Sequence, residues 1–438
     1  MNSTLDQIDD DTGDGVCHTA AGTCTLRAAV MQANTISGAG ATIVLPAGLY
    51  LLTRPVAGAN GPDNGDLNLT TPADSAFIAI VGAGAATTII DAQQIDRVLE
   101  VEAYRHASLS GLTLRNGKGA YNGGGIRNEG TLSLEGVVVT ACSGRDGGGI
   151  ASSGPLSVSR SRIEGNSAIT PPMEYGGDGG GIFTNGGLVL VDSTVSGNFA
   201  DVSGGGVLAY GAAEVLRSTI AGNAADLGGG FRVFASLFVT NSTISSNDSR
   251  SDGGGIWTFS GNINVYNSTI VANQADSDVD FDGTGAGVFV GTNATFNIRN
   301  SVFAANYLSQ SPVYDDCRGE IGAYGVNAFW NVAPQCAITQ PDGGSTFLIS
   351  SLTEIGPLQS NGGLTQTHAL VAASAMIDGA DPFNGCRDKS FNLIPIDQRG
   401  GPRVVGARCD LGAFEVGALP AGTIFSDGFE TGDLWSWN

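Results

Sequence analysis

Between residues 123 and 306, apolar and polar positions alternate in short runs that return in phase after a fixed interval. Each cycle opens on a glycine triplet, at Gly123, Gly147, Gly179, Gly204, Gly228 and Gly253, with Gly285-Ala286-Gly287 as a degenerate seventh; the successive spacings are 24, 32, 25, 24, 25 and 32 residues. An apolar residue follows each triplet, then a short alternating strand, then a second strand of the form S-T-[IV]-x-x-N, as in Ser193 to Asn198, Ser218 to Asn223 and Ser268 to Asn273. Runs this short, rich in Val, Ile and Thr and punctuated by Gly and Asn, predict strand, turn and strand. Helical repeats need about 33 residues or more and a 3.6-residue period, and the segment offers neither. Its coils suit an all-β parallel β-helix, each turn stacked on the last at about 4.8 Å.

Stacking in phase turns the repeat into a map of faces. The recurring Asn166, Asn198, Asn223, Asn247, Asn273 and Asn306 form a ladder at one corner, where each amide can bond its equivalent one coil away. Cys142 takes that rung in its own coil and reads as a small buried substitute. The first residue after each triplet (Ile126, Ile150, Ile182, Val207, Phe231, Ile256, Val288) is apolar and predicted to point inward. The next must then face solvent: Arg127, Ala151, Phe183, Leu208, Arg232, Trp257 and Phe289. Two positions on stand Tyr210, Phe234 and Phe259. The coils thus predict an exposed aromatic band from Phe183 to Phe289, with Arg232 inside it.

The paired G-G-[GA]-[IVF] and [IVF]-x-x-N phrases resemble the repeats of polymorphic outer-membrane proteins and related bacterial surface β-helices, over about half the chain. The resemblance implies a right-handed parallel β-helix that is secreted or displayed at the cell surface. It says little of function, because adhesins and polysaccharide-degrading enzymes share the scaffold.

Before the array, residues 1–54 read as a capping module. A helix from about Thr25 to Thr35 carries Leu26, Ala29, Val30 and Ala33 on one face, followed by strand, turn and strand. Cys24-Thr25-Leu26-Arg27-Ala28-Ala29 resembles the C-S-L-R-E-A run of an N-terminal module of bacterial β-helix proteins, with Ala28 where that pattern has an acid. Residues 55–326 form the β-helix, regular from 123 to 306, and 327–438 an irregular C-terminal cap and tail. The stretch from Gly356 to Glu415 resembles an anchor-associated C-terminal segment of such proteins, and Phe425 to Trp437 a short sorting-type ending.

Composition narrows the setting. Gly is 67 of 438 residues, about double ordinary usage, as coil corners require. Only Lys118 and Lys389 are lysines, and the net charge is −22, which disfavours nucleic acid and anionic membrane as partners. No apolar run reaches a spanning length. Met1-Asn2-Ser3-Thr4 leads straight into an acidic segment, so the chain reads as a mature exported form, extracellular or at the cell surface, and as a monomer. The close cysteines Cys17 and Cys24, Cys317 and Cys336, and Cys386 and Cys409 suggest local disulfides at the ends of the solenoid, although six cysteines allow fifteen connectivities.

Candidate chemistry gathers beside the band. The two 32-residue repeats carry extra residues before their glycines, around Pro171 to Tyr175 and Asp276 to Thr284. They lie four coils apart, roughly 19 Å by the stacking distance, and would wall a cleft floored by rings. Phe183, Tyr210, Arg232, Phe234, Trp257, Phe259, Phe289 and Tyr175 are the candidate contacts for an extended polysaccharide or cell-surface glycan, in the manner of an adhesin. A polysaccharide lyase or glycoside hydrolase in the same cleft would draw on Asp201, Asp226, Asp252 and Arg232; a structural stalk, its rings stacked for stability alone, is the third reading. Asp278-Val279-Asp280-Phe281-Asp282-Gly283 opens like a calcium loop, but Phe289 stands where an EF-hand needs its twelfth, acidic ligand, so Asp278, Asp280 and Asp282 suggest a looser calcium site. Asp9, Asp11 and Asp14 form a second acidic cluster. His18, His106 and His368 are scattered, which argues against a zinc site or a Ser-His-Asp triad and for structural roles.

Overall fold

The computed structural model describes residues 1–36, 40–57, 61–70, 77–280, 282–309, 313–349, 351–388 and 390–419. The chain winds into a right-handed parallel β-helix. Most strands fall into three long sheets of 19, 12 and 8 members in which neighbouring coils pair almost entirely in parallel. One coil shows the plan: Ile182–Thr184, Leu188–Val191, Thr194–Ser196 and Phe199–Ala200 are its four strands, and each pairs with its equivalent in the next coil. In the coils of Ile256–Tyr266 and Val288–Arg299 the first two strands run on as one.

The glycine triplets have a steric cause at each position. The first glycine is left-handed, with φ of 64–76° in every coil from Gly123 to Gly285, a region costly for a side chain. The second and third lie against neighbouring backbone: a Cβ on Gly205 would meet the Ala224 carbonyl oxygen at 2.4 Å, and one on Gly206 the Gly230 oxygen at 2.6 Å. Beyond them Ile126, Ile150, Ile182, Val207, Phe231, Ile256 and Val288 point inward and are fully buried, as the phase predicts. They belong to one core that runs the length of the helix.

Two side-chain ladders bind the coils along the axis. Asn166, Asn198, Asn223, Asn247 and Asn273 each donate Nδ2 to the Oδ1 of the next asparagine at 2.9–3.0 Å, ending on Asn306. Each asparagine also caps a carbonyl of the preceding coil, as Asn223 does for Val195 at 3.0 Å. Cys142 keeps the rung as a buried thiol: its N–H donates to Asn166 Oδ1 at 3.0 Å, and burial pushes the thiol pKa up to about 12. The serine of the S-T phrase forms the second ladder, with the Oγ atoms of Ser193, Ser218, Ser242 and Ser268 accepting the N–H of the preceding serine at 3.1–3.2 Å.

Both flanks are secured. The helix Leu26–Ala33 is N-capped by Thr25, whose Oγ1 accepts the Ala28 N–H at 3.1 Å. Arg27 is fully buried beneath it, paired with Asp6 at 2.6 Å and donating to the carbonyls of Gly65 and Asp66 at 2.7 and 3.0 Å. Cys17–Cys24, Cys317–Cys336 and Cys386–Cys409 form disulfides. The C-terminal segment folds back along the side of the coils. Gln398 bridges Thr219 and Thr243 at 2.9 and 2.6 Å, and Asn241 and Asn267 donate to the carbonyls of Ile396 and Arg387 at 2.6 and 3.0 Å. His368 is buried there between Ser245 Oγ at 2.8 Å and the Gly356 carbonyl at 2.7 Å, with burial lowering its pKa. The tail from Phe425 to Trp437, and Phe281 of the acidic loop, lie outside the described residues.

Candidate functional site

The phase of the glycines places the outward residues in register. Ala151 pairs with Phe183, Phe183 with Leu208, Leu208 with Arg232, Arg232 with Trp257 and Trp257 with Phe289. Tyr210, Phe234 and Phe259 rise beside this row and close its gaps. Phe183 meets Tyr210 edge-on at 6.0 Å, Tyr210 stacks on Phe234 at 4.7 Å, and Phe234 meets Trp257 edge-on at 6.1 Å. Trp257 then stacks with Phe289 at 5.8 Å and Phe259 at 6.3 Å. Alternating edge and face contacts suit the ring quadrupole. The Arg232 guanidinium lies over the rings of Phe234 and Trp257 at 4.9 and 4.8 Å.

The column is a half-open surface. Tyr210 and Phe259 are 47% and 45% exposed, whereas Phe183, Phe234, Trp257 and Phe289 are half-buried against one another. Leu208, in an outward register position, is 0% exposed, so alternation places its side chain on the outer face but does not leave it in water. The indole Nε1 of Trp257 and the Nε of Arg232 are enclosed without a hydrogen-bond partner among the described residues. Burial pulls the Arg232 pKa down, with Asp178 and Tyr210 opposing it, and burial raises that of Asp178.

One member was invisible to the repeat. Arg318 pairs in register with Phe289 and lies over its ring at 5.1 Å. Residues 314–316 are Tyr-Asp-Asp where glycines would mark the coil, so nothing in the phrase announces it. Its Nη1 donates to Thr284 Oγ1 at 2.6 Å.

The acidic candidates line the turn before each glycine column, and each holds a neighbour. Asp201 accepts the Thr170 N–H at 2.7 Å and so ties down the first insertion. Asp252 accepts both the N–H and Oγ1 of Thr284 at 2.8 Å, which ties down the second; burial raises its pKa. Asp226 pairs with Arg250 at 2.8 Å. Burial raises its pKa against that arginine, with Asp201 and Asp278 adding like charge. Arg232 faces the rings, and its electrostatic neighbour is Asp178. In the first insertion Tyr175 is 96% exposed and makes no ring contact with the column among the described residues.

In the second insertion the acids converge differently from the calcium-loop spacing. Asp276, which that spacing passes over, is buried, and ligand oxygens of Asp276, Asp278 and Asp280 lie within 4.8 Å of one another. Asp282 stands outside this group with its carboxyl beside Asp280, and that contact raises its pKa. On the adjacent face, a groove of about 420 Å³ runs over Leu132, Leu156, Leu188 and Ala213; none of the predicted site residues lines it.

No protein-family model matches the chain, and no curated protein matches its sequence. Among solved structures the chain is similar to the crystal structure of pectate lyase Pel9A, at a TM-score of 0.42 and 13% identity, over 95% of this chain and 97% of that one. At that identity no site residue is carried across. Among the described residues, no helix is long and apolar enough to cross a membrane.

Proposed function

We propose that this chain is an exported β-helix that binds an extended glycan along the aromatic column, as an adhesin-like surface or extracellular protein. The observation that carries the reading is the unbroken column from Phe183 through Tyr210, Phe234 and Trp257 to Phe289, half-open to solvent. Contiguous apolar surface of this kind marks interaction sites, and ring faces with an unpaired indole N–H suit the C–H faces and hydroxyls of sugars. Three disulfides support an oxidising compartment. Asp276, Asp278 and Asp280 supply the hard oxygen donors that calcium takes, and such an ion would brace the second insertion beside the column.

An enzymatic role in the same cleft has a narrower basis, the raised carboxyl of Asp226 between Asp201 and Asp278. Affinity electrophoresis against acidic and neutral polysaccharides, with ultraviolet absorbance and reducing ends recorded in parallel, separates the readings. Retardation without product supports binding. Product that vanishes in Asp226→Asn overturns the binding-only reading in favour of a lyase or hydrolase. No retardation and no product leaves the structural stalk.

A further inference from the structure

The N-terminal loop holds a second cluster, distinct from the acids beside the column. Sequence spacing groups Asp9, Asp11 and Asp14; the fold instead brings together Asp9, Asp10 and His18, with one carboxylate oxygen of each aspartate and one ring nitrogen within 4.8 Å of one another. Asp9 is 4% exposed, and its Oδ1 accepts the Asp11 N–H at 3.0 Å. Its Oδ2 is enclosed and has no hydrogen-bond partner among the described residues. A bare carboxylate oxygen out of water is costly unless a cation or a donor meets it.

The ligands are held from two sides of the loop. The Asp10 N–H bonds the His18 carbonyl at 3.1 Å, the Cys17–Cys24 bridge fixes the chain next to His18, and Gln32 of the capping helix donates to the Thr12 carbonyl at 3.3 Å. Both ring nitrogens of His18 are held by carboxylates, Nε2 hydrogen-bonded to Asp14 Oδ2 at 2.8 Å and Nδ1 to Asp10 Oδ1. With Nε2 oriented by Asp14, an ion that replaces the proton between Nδ1 and Asp10 would find a metal ligand with its orienting partner already in place.

We propose that Asp9, Asp10 and His18 form a binding site for a divalent transition-metal ion of the zinc class, with Asp14 as the positioning residue for the His18 ring. The imidazole selects that class, since calcium takes six to eight oxygen ligands and zinc accepts nitrogen with carboxylate in a site of about four. The ion would join the acidic segment to the loop that carries His18 and so fasten the module over the first coils.

The test uses the full chain after chelator treatment, titrated with zinc chloride by calorimetry and followed by thermal melting. Saturation at about one ion per chain with a raised melting temperature is expected. His18→Gln and Asp9→Asn should each weaken binding at least tenfold, while Glu320→Gln, at an exposed position, leaves it unchanged. Because Asp9 is buried, cobalt provides a second reading: the visible absorption of the bound ion should appear in the wild type and vanish in His18→Gln with the circular dichroism unaltered. The proposal is overturned by absent heat, by equal zinc affinity in His18→Gln, or by a calcium response as large as that of zinc.

Discussion

Asp316 stands where the asparagine ladder would place its next amide, and its Oδ1 accepts Asn306 Nδ2 at 2.7 Å. Its Oδ2 takes the N–H groups of Trp330 and Asn331 at 2.9 and 2.8 Å. Only a carboxylate can accept on both sides, because an amide in that place would turn its own donor toward one of them.

This placement predicts a pH signature. Burial lifts the Asp316 pKa from its ordinary 3.8 to about 6. A carboxyl raised on folding binds its proton more tightly in the native state, so its contribution to stability is full below pH 3.8 and is lost as pH rises through about 6. Asp316→Asn removes this titration, so the stability of the wild type relative to the variant should fall between pH 4 and pH 7. Urea unfolding at both pH values measures it; a relative stability that rises with pH contradicts this account.

The glycine column predicts a sharp contrast between two alanines. A Cβ on Gly229 would lie 2.2 Å from the Asp248 carbonyl oxygen, whereas one on Gly187 meets nothing within 4 Å. Gly229→Ala should cost more than about 3 kcal/mol or prevent folding, and Gly187→Ala should stay within about 0.5 kcal/mol of wild type. Expression yield and thermal midpoint read both.

Removing Gln398 should loosen the C-terminal segment and leave the coils intact. Its amide joins Thr219, Thr243 and Thr365 at 2.9, 2.6 and 2.9 Å, so Gln398→Ala leaves buried hydroxyls unmatched at a local cost of about 2–3 kcal/mol. Amide exchange should quicken within residues 361–416 and stay slow in residues 123–306. Equal acceleration in both regions would show that the segment and the coils open as one unit.

On the column, Trp257→Ala should lower glycan affinity at least tenfold, or about 1.4 kcal/mol, while leaving the far-ultraviolet spectrum unchanged. Trp257 touches Phe234, Phe259, Phe289 and Arg232, so its loss opens the middle of the surface. Unchanged affinity would move the site elsewhere.

In the acidic insertion, Asp280→Ala should abolish calcium binding measured by calorimetry, and Asp282→Ala should change it less than threefold, about 0.7 kcal/mol. The distinction follows from the convergence of Asp276, Asp278 and Asp280 without Asp282. The reverse order of effects would restore the D-x-D-x-D spacing as the guide.

The coils were readable from the sequence because every constraint recurs once per turn. Gly204 needs its left-handed backbone, Asn223 its partner amides and Val207 its buried face, and each need repeats with the same phase. What escaped lies where the period stops or where distant segments meet. Arg318 follows a coil without glycines, and Asp276 joins Asp278 and Asp280 only after the insertion folds. Asp9 meets His18 across a loop closed by a disulfide. The back-folding of residues 361–416 depends on single side chains such as Gln398 and His368, which carry no periodic mark.

The asparagine ladder has a direction and two different ends. It starts on the Cys142 thiol coil, where a backbone N–H donates to the first amide, and it stops at Asp316, which only accepts. Every coil between them presents the same acceptor behind and the same donor ahead. A duplicated coil of 24 or 25 residues can therefore enter the interior without a mismatched partner, adding about 4.8 Å and one more outward position to the column. Coils added beyond Asp316 would meet a rung with no donor to offer. The reach of the binding surface is thus adjustable in whole steps from within, while the chemistry of its ends stays fixed.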